Sequence, residues 1–456
     1  MSQLEFALPL IMMAALVALL FTGYPVAFVL AGVGLVFAGI GSALDMFNLA
    51  QLFLIVSRIW GGIAENQVLV AVPMFIFMGV MLERSGIAKH LLEILAILLR
   101  RVPGGLALAV VLMGTIMAAT TGIVGASVVM LTMLALPALA ERGYSKPVAA
   151  GTIAASGTLG ILIPPSIMLV IMGDLLAIPV GDLFTGAMFP GLILSSLYLA
   201  FIMLLALARP ALLPPASAVP FSGSGRDVAI LLFKGFVPPT VLVMLVLGSI
   251  FFGIATPTEA SGVGAFGAVV LSFANGSFSL RLLRDVAEES ALTNAMIFGI
   301  FCGAALFSYV FRALGGDDAI VHIIDKLDLH DWALLSLLMG LIFLLGFFFD
   351  WLEITLIILP IFAPIIAAMD LGTHVAKTDM LLWFAVLVAI NLQTSYLTPP
   401  FGPALFYLRG AGSDHLTLTD IYRGIIPFTL LQLTGLAICI IFPGLILWLP
   451  RLLNPG

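Results

Sequence analysis

Two long apolar stretches, half a chain apart, are broken by the same kind of wording. Gly157-Thr158-Leu159-Gly160-Ile161-Leu162-Ile163-Pro164-Pro165-Ser166 interrupts the run from Val148 to Leu176, and Gln393-Thr394-Ser395-Tyr396-Leu397-Thr398-Pro399-Pro400-Phe401-Gly402 interrupts the run that begins near Leu381. A proline lacks the amide N–H and its ring collides with the preceding turn, so neither stretch can be one unbroken helix. Carbonyls released at such a break can coordinate a small cation, and the N-terminus of the following half-helix can face an anion. Ser156, Thr158 and Ser166 add hydroxyls at the first break, and Thr394, Ser395 and Thr398 at the second. Matched interruptions in two halves point to the binding site of a secondary transporter built from inverted repeats.

The surrounding solvent follows from composition. The chain is 62% hydrophobic and 9% charged, with mean hydropathy +1.24, which a water-soluble fold of this length could not solvate. It holds roughly eleven or twelve apolar runs, each to be compared with the ~20 residues that cross a bilayer. The expected fold class is therefore an all-α polytopic membrane protein. Phe6–Phe21 has no basic flank before it and no small-residue cleavage site, so it reads as a first span rather than a removed signal. Cys302 and Cys439 lie in apolar runs without metal-ligand spacing, and the five histidines lie in loop-like or amphipathic stretches without clustering. The chain has no P-loop, nucleotide fingerprint or zinc-protease motif, and no basic patch for nucleic acid. That excludes ATP-driven transport and points away from an enzyme, so the energy source is an ion gradient.

In order, residues 1–208 form a first half. It has spans at Phe6–Phe21, Val26–Ile40 and Val68–Leu82, a short interfacial piece at Leu52–Trp60, and an amphipathic stretch at Ile87–Leu99. A hairpin over 100–146 follows, loosened in its middle at Thr120–Ser127, then a broken helix over 147–178 and a span at Leu183–Leu207. The hairpin is flanked by Arg100, Arg101, Arg142 and Lys146 at both ends, so by the positive-inside rule both ends face the cytoplasm and the segment is re-entrant. The Pro- and Gly-rich stretch 209–235 is a linker. Residues 236–456 repeat the order. Spans at Phe236–Phe252 and Ala260–Ala274 precede an amphipathic Leu280–Ser290, a span at Ala295–Phe311 and an acidic surface piece around Asp317–Asp331. A second hairpin over 332–370, a broken helix over 378–411 and a final span over 424–450 close the half. The second hairpin is almost free of bases, the contrast expected of halves with opposite orientation.

Asp350 and Glu353 sit inside a strongly apolar run. Intramembrane carboxyls are expensive and count as functional by default: they can bind a cation, relay a proton or hold the hairpin tip in shape. Glu259, after Thr256-Pro257-Thr258, reads as a helix cap. Arg312 and Arg409 end apolar runs, as interface-anchoring side chains do.

Gly157 to Ser166, Ala255-Thr256-Pro257-Thr258-Glu259-Ala260 and Asn391-Leu392 with the following Gln393 to Gly402 closely resemble motifs of the large membrane subunit of tripartite ATP-independent periplasmic (TRAP) transporters, nearly end to end. The resemblance implies a sodium–organic anion symporter of the bacterial inner membrane. It would work by an elevator motion, with hairpins and broken helices moving against a scaffold of the other spans. It implies three partners: a separate small membrane subunit, a soluble periplasmic protein that delivers substrate, and the organic anion itself. It implies sodium as coupling ion and no other cofactor. One sodium site would lie between the first tip (Thr121, Gly122, Gly125, Ser127) and the first break (Ser156, Gly157, Thr158). The other would lie between Asp350, Trp351 and Glu353 and the second break (Thr394, Ser395, Thr398). Substrate would sit between the tips, bordered by Thr121, Gly122, Gly125, Pro165, Ser166, Trp351 and Pro400. Many relatives have a serine-rich first tip where this chain has Thr121-Gly122-Ile123-Val124-Gly125-Ala126-Ser127, which shifts work there to backbone carbonyls. Phe-Asp-Trp and Leu-Gln-Thr-Ser resemble the branch linked to oxo-acids, other monocarboxylates and polyol-like or aromatic substrates. The competing readings are a stand-alone proton- or sodium-coupled exchanger and an ion-conducting subunit of a membrane complex.

Overall fold

Gly23 and Pro25 set the first corner. Helix α1 (Gln3–Leu20) ends in a turn through Gly23 in the left-handed region (φ 79°), and Pro25 leads into α2 (Val26–Ala43). The computed structural model describes residues 3–122, 124–214, 232–399, 402–412 and 415–453, and these are helical or in turns throughout. Next comes a bent pair, Leu49–Ala64 and Val68–Arg84, meeting at 60°; it contains α3 (Leu54–Ile59) and α4 (Ala71–Arg84). The expected interfacial piece at Leu52–Trp60 is thus one limb of a bent span. Asn66 makes the bend tenable: its Oδ1 accepts at 3.0 Å from the Val68 amide, which a straight helix would have paired, and its Nδ2 donates to Asp174 at 2.6 Å.

Gly86, also left-handed (φ 78°), opens amphipathic α5 (Ile87–Leu98). Helices α6 (Gly105–Thr121) and α7 (Val124–Glu141) pack as a hairpin turned at Gly122 (φ 57°). Then come α8 (Lys146–Thr158), a 3₁₀ turn at Leu159–Ile161, α9 (Ile167–Leu175) and α10 (Val180–Ala208). The Pro164–Pro165 peptide is cis.

The later elements are α11 (Val237–Phe251), α12 (Pro257–Ala274), α13 (Leu280–Ala313), α14 (Gly316–Leu327), α15 (Asp331–Leu345), α16 (Trp351–Ala368), α17 (Met380–Leu397), α18 (Pro403–Ala411), α19 (Leu418–Ile441) and α20 (Gly444–Leu453). Thr256 and Glu259 cap α12 reciprocally, with Glu259 accepting the Thr256 amide at 2.8 Å. Two boundaries differ from the sequence expectation. The amphipathic stretch at Leu280 and the span at Ala295 are one helix of 34 residues. No Gly or Pro separates them, and Thr293 and Asn294 return their polar groups to the carbonyls of Glu289 and Ser290 at 3.0 and 2.7 Å. The expected final span over 424–450 is instead two helices, because Pro443 offers no amide to continue α19.

Among the described residues seven helices are long and apolar enough to cross a bilayer, or eight with the bent pair, fewer than the apolar runs counted in the sequence. The difference lies in shorter apolar helices such as Gly105–Ala118 and Asp331–Leu345, which at 1.5 Å per residue fall short of a ~30 Å hydrocarbon core. α8 is buried from Ala149 to Thr158, and the span containing α17 is 94% buried inside the protein, so these two helices form the centre. Packing is crossed between the halves: α13 lies on α2 and α12 on α4, α18 on α7 and α9 on the π-helical turn Ile354–Ile358 of α16, α19 on α8 and α10 on α17.

Candidate site at the two hairpin tips and breaks

The arms of the first hairpin and the first break meet at backbone range. A Cβ on Gly114 would come within 2.6 Å of Ser156 Cβ, and one on Gly157 within 3.0 Å of Val128 Cα. Gly122 faces Ile167, the first residue of α9, where a Cβ would stand 2.8 Å from the Ile167 side chain. Glycine at these places lets the hairpin close on the break, and Gly122 also adopts a conformation other residues avoid. The hydroxyls turn to nearby carbonyls: Ser156 donates to Thr152 O at 2.6 Å and Thr158 to Ala155 O at 2.9 Å within α8, and Ser166 reaches back to Ile161 O of the 3₁₀ turn at 2.6 Å. A hydroxyl that donates its proton this way keeps oxygen lone pairs for a ligand. Among the described residues no backbone amide bonds to the carbonyls of Leu162, Ile163, Pro164 or Pro165.

The second tip is held by a capping box. Asp350 accepts the Trp351 amide at 2.6 Å, and Glu353, 5% exposed, accepts the Asp350 amide. Both carboxyls face the N-terminal end of α16, where the helix dipole favours negative charge. Tyr396 on α17 binds the same corner: its hydroxyl donates to Asp350 Oδ1 and accepts from the Trp351 amide at 3.0 Å. Gly346 abuts Ser395 Oγ so closely that a Cβ could not be accommodated. Thr394, Ser395 and Thr398 bond to Ile390, Leu392 and Thr394 carbonyls at 2.9, 2.8 and 2.8 Å, as in the first break. At the hairpin base the Asp370 amide donates to Asp331 at 2.8 Å, and the Gly372 amide with Lys377 holds the Asp370 carboxyl below its usual range.

The structure therefore brings Gly122 and Gly157 with Ser156 and Thr158 into one region, and Asp350, Trp351 and Glu353 with Ser395 into another. Ser127 is buried on α7, one residue before the Val128 that abuts Gly157. Gly125 lies against the ring of Tyr407, on α18. Pro165 and Ser166 are buried in the first break. Pro400 and the side chain of Thr121 lie outside the described residues. Three residues escaped the sequence reading. Tyr396 ties tip to break. Tyr407 lies against Gly125 of the first tip and within electrostatic reach of Asp350 and Glu353 of the second. Gln393 touches Thr158 across the two breaks, Nε2 to Oγ1 at 3.4 Å. Only the hydroxyl- and glycine-rich wording around them marked the neighbourhood.

Two cavities separate this centre from α13. One, of about 850 Å³, runs between Tyr24, Phe28, Met296 and Ile300 and the second tip at Asp350 and Glu353. The other, of about 480 Å³, lies further along α13, among Arg58, Tyr309, Arg312, Asp174 and Leu356. Among the described residues no three His, Cys, Asp or Glu side chains are grouped as metal ligands.

A helical, many-span chain in which hairpin tips close on broken helices has the architecture of a solute permease. The sequence profile described as tripartite ATP-independent periplasmic transporter, DctM component, matches residues 13–445, and the chain belongs to that family. The C4-dicarboxylate TRAP transporter large permease protein of Rhodobacter capsulatus is 29% identical, with 98% of this chain and 99% of that protein covered. The isethionate TRAP transporter permease protein DctMQ of Oleidesulfovibrio alaskensis is 27% identical over 83% of this chain but only 57% of its own length. Among solved structures, the YdaH transporter of Alcanivorax borkumensis, described as having an unusual topology, superposes with a TM-score of 0.61 at 16% identity, over 87% of this chain and 89% of that one.

Proposed function

We propose that this permease carries a small organic anion inward across the bacterial inner membrane, driven by sodium. The observation that carries the reading is the repeated pairing of a hydroxyl-lined break with a hairpin, Ser156 and Gly157 against Gly114 and Val128 on the two arms of the first, and Ser395 and Tyr396 against Gly346 and Asp350 of the second. Each pairing offers hydroxyl and carbonyl oxygens in a buried place, joined at the second by the carboxyls of Asp350 and Glu353, and among the described residues neither groups three acids, histidines or cysteines; such oxygen donors suit an alkali cation. Two cation sites also meet an electrical need. Moving one negative charge inward against the membrane potential costs about 2.3 kcal/mol per 100 mV. One sodium cancels that for a monocarboxylate, and a second turns the potential into a driving force.

Crossed packing and the recurring order of elements support two inverted repeats, residues 1–208 and 236–456. Helices α8, α9, α17, α18 and the two hairpins would then move as one body against α2, α4, α12 and α13, with the two cavities as the sliding surface. Sodium at each tip–break contact would hold the tips closed over the anion, which would lie beside Tyr407. The substrate class inferred is a carboxylate, a 2-oxo acid or another monocarboxylate among the options; the relatives named for a dicarboxylate and for isethionate, a sulfonate, are both named for organic anions. The family's tripartite form supplies a periplasmic binding protein and a small membrane subunit. The test is uptake of labelled carboxylates into proteoliposomes with the small subunit, varying sodium on each side and the binding protein independently. Uptake that needs both an inward sodium gradient and the binding protein is expected; equal uptake on a proton gradient without the binding protein overturns the proposal.

A further inference from the structure

The bent pair and α13 occupy matching places in the two halves, and their charged ends differ in a way that points to a ligand. At one end of their contact Arg84 meets Glu289, with Nη2 to Oε2 at 2.6 Å and Nε at 2.9 Å. Arg84 lies two residues before Gly86, the left-handed glycine that opens α5; Arg312 lies three before Gly315, the left-handed glycine that opens α14. Glu289 is the tenth residue from Leu280, and Arg58 is the tenth from Leu49, the starts of the matching segments. The counterpart of the Arg84–Glu289 ion pair is thus Arg58 beside Arg312. Where one end is closed by a carboxylate, the other has a second guanidinium.

Both arginines line the cavity of about 480 Å³, together with Tyr309. Arg58 lays its guanidinium over the Tyr309 ring at 4.7 Å and has no carboxylate partner within ion-pair distance among the described residues. A stacked guanidinium keeps its N–H edge free for bidentate recognition of a carboxylate. Arg312 is 3.5 Å from Asp317, with both side chains about half exposed, too long for a hydrogen bond and weakly stabilising at such exposure. Asp174 also lines the cavity, but its carboxylate is engaged by Asn66 at 2.6 Å. Leu175 at the end of α9 and Leu356 and Pro360 of α16 form the facing wall, so the cavity borders the second hairpin. The basic flanks of the first hairpin place the Arg84–Glu289 end of α13 toward the cytoplasm, and the Arg58–Arg312 end toward the periplasm, where substrate arrives.

We propose that Arg58 and Arg312 form a carboxylate-binding site in this cavity, a first holding point for the organic anion before it reaches the tips. The inference rests on the anion reading above and deepens it. The test uses the full chain in nanodiscs of phosphatidylcholine alone or with phosphatidylglycerol, labelled with phenylglyoxal and followed at Arg58 and Arg312 by peptide mass spectrometry. Pyruvate and succinate are the probes and glycerol the neutral control. In both lipids at least one carboxylate is expected to slow labelling of Arg58; Arg312→Gln should abolish that protection and Arg312→Lys should retain it. In proteoliposomes Arg58→Met should raise the half-saturating anion concentration about tenfold, with sodium half-saturation unchanged and Arg58→Lys intermediate. Labelling that neither carboxylate slows overturns the site. So does protection seen only with phosphatidylglycerol, which would assign the cavity to a lipid head group. Sodium-driven uptake with wild-type half-saturation in Arg58→Met would remove this site and leave the transport reading standing. Carboxylate protection of Arg58 without any sodium-dependent uptake would do the reverse.

Discussion

The hydroxyl of Tyr396 serves two partners at once, Asp350 as donor and the Trp351 amide as acceptor. Removing it takes a donor from the buried Asp350 carboxylate, while the Trp351 amide keeps its bond to Asp350 Oδ1, a loss of about 1–3 kcal/mol. Tyr396→Phe is therefore expected to lower the thermal unfolding temperature of the purified chain and to raise the sodium concentration for half-maximal uptake. A variant that unfolds and transports like the parent would show that the contact is incidental. Glu353 makes a sharper comparison, because what the capping box needs from it is an acceptor at the Asp350 amide. Glu353→Gln keeps that acceptor and should fold nearly as well as the parent, whereas Glu353→Ala should lose about 1 kcal/mol. If Glu353→Gln abolishes sodium dependence without loss of stability, the charge itself acts on the cation.

At the scale of elements, glycines decide how closely helices approach. Gly424 of α19 abuts the Pro147 carbonyl of α8, and Gly157 abuts Val128 across the first hairpin, whereas Gly248 in α11 has open space around it. Gly424→Ala and Gly157→Ala should each cost about 1–3 kcal/mol by overpacking. Gly248→Ala should be neutral or stabilise by up to about 1 kcal/mol, since alanine is the better helix former; melting curves of the three variants check the ranking. Much of this level was legible beforehand. Pro164-Pro165, Pro399-Pro400 and the Phe349-Asp350-Trp351 corner marked breaks and tips because Pro, Gly and acids are costly inside apolar helices. The continuity of α13 was not legible, because a change from amphipathic to apolar composition resembles a boundary even where the backbone runs on. The split at Pro443 was written in the chain but masked by uniform hydrophobicity on either side. Tyr396 and Tyr407 carried no local signal, since their partners lie on other elements brought near only by the fold.

For the whole molecule, transport by this route needs the central body to slide along α13. A cysteine pair placed across the larger cavity, Thr293→Cys with Leu352→Cys, in a Cys302→Ala, Cys439→Ala background, should stop uptake when bridged by a bifunctional thiol reagent and restore it when the bridge is cleaved. Uptake that continues while the bridge is intact would rule out that motion. The most direct measurement is the thermal stability of the purified chain in sodium against potassium at equal ionic strength. A cation held at the tip–break contacts stabilises only the folded state, by about 2.7 kcal/mol at one hundred times its dissociation constant. A higher unfolding temperature is expected in sodium, by a shift that shrinks in Thr158→Ala and in Ser395→Ala. Identical curves in sodium and potassium, or a sodium shift untouched by both substitutions, would contradict it.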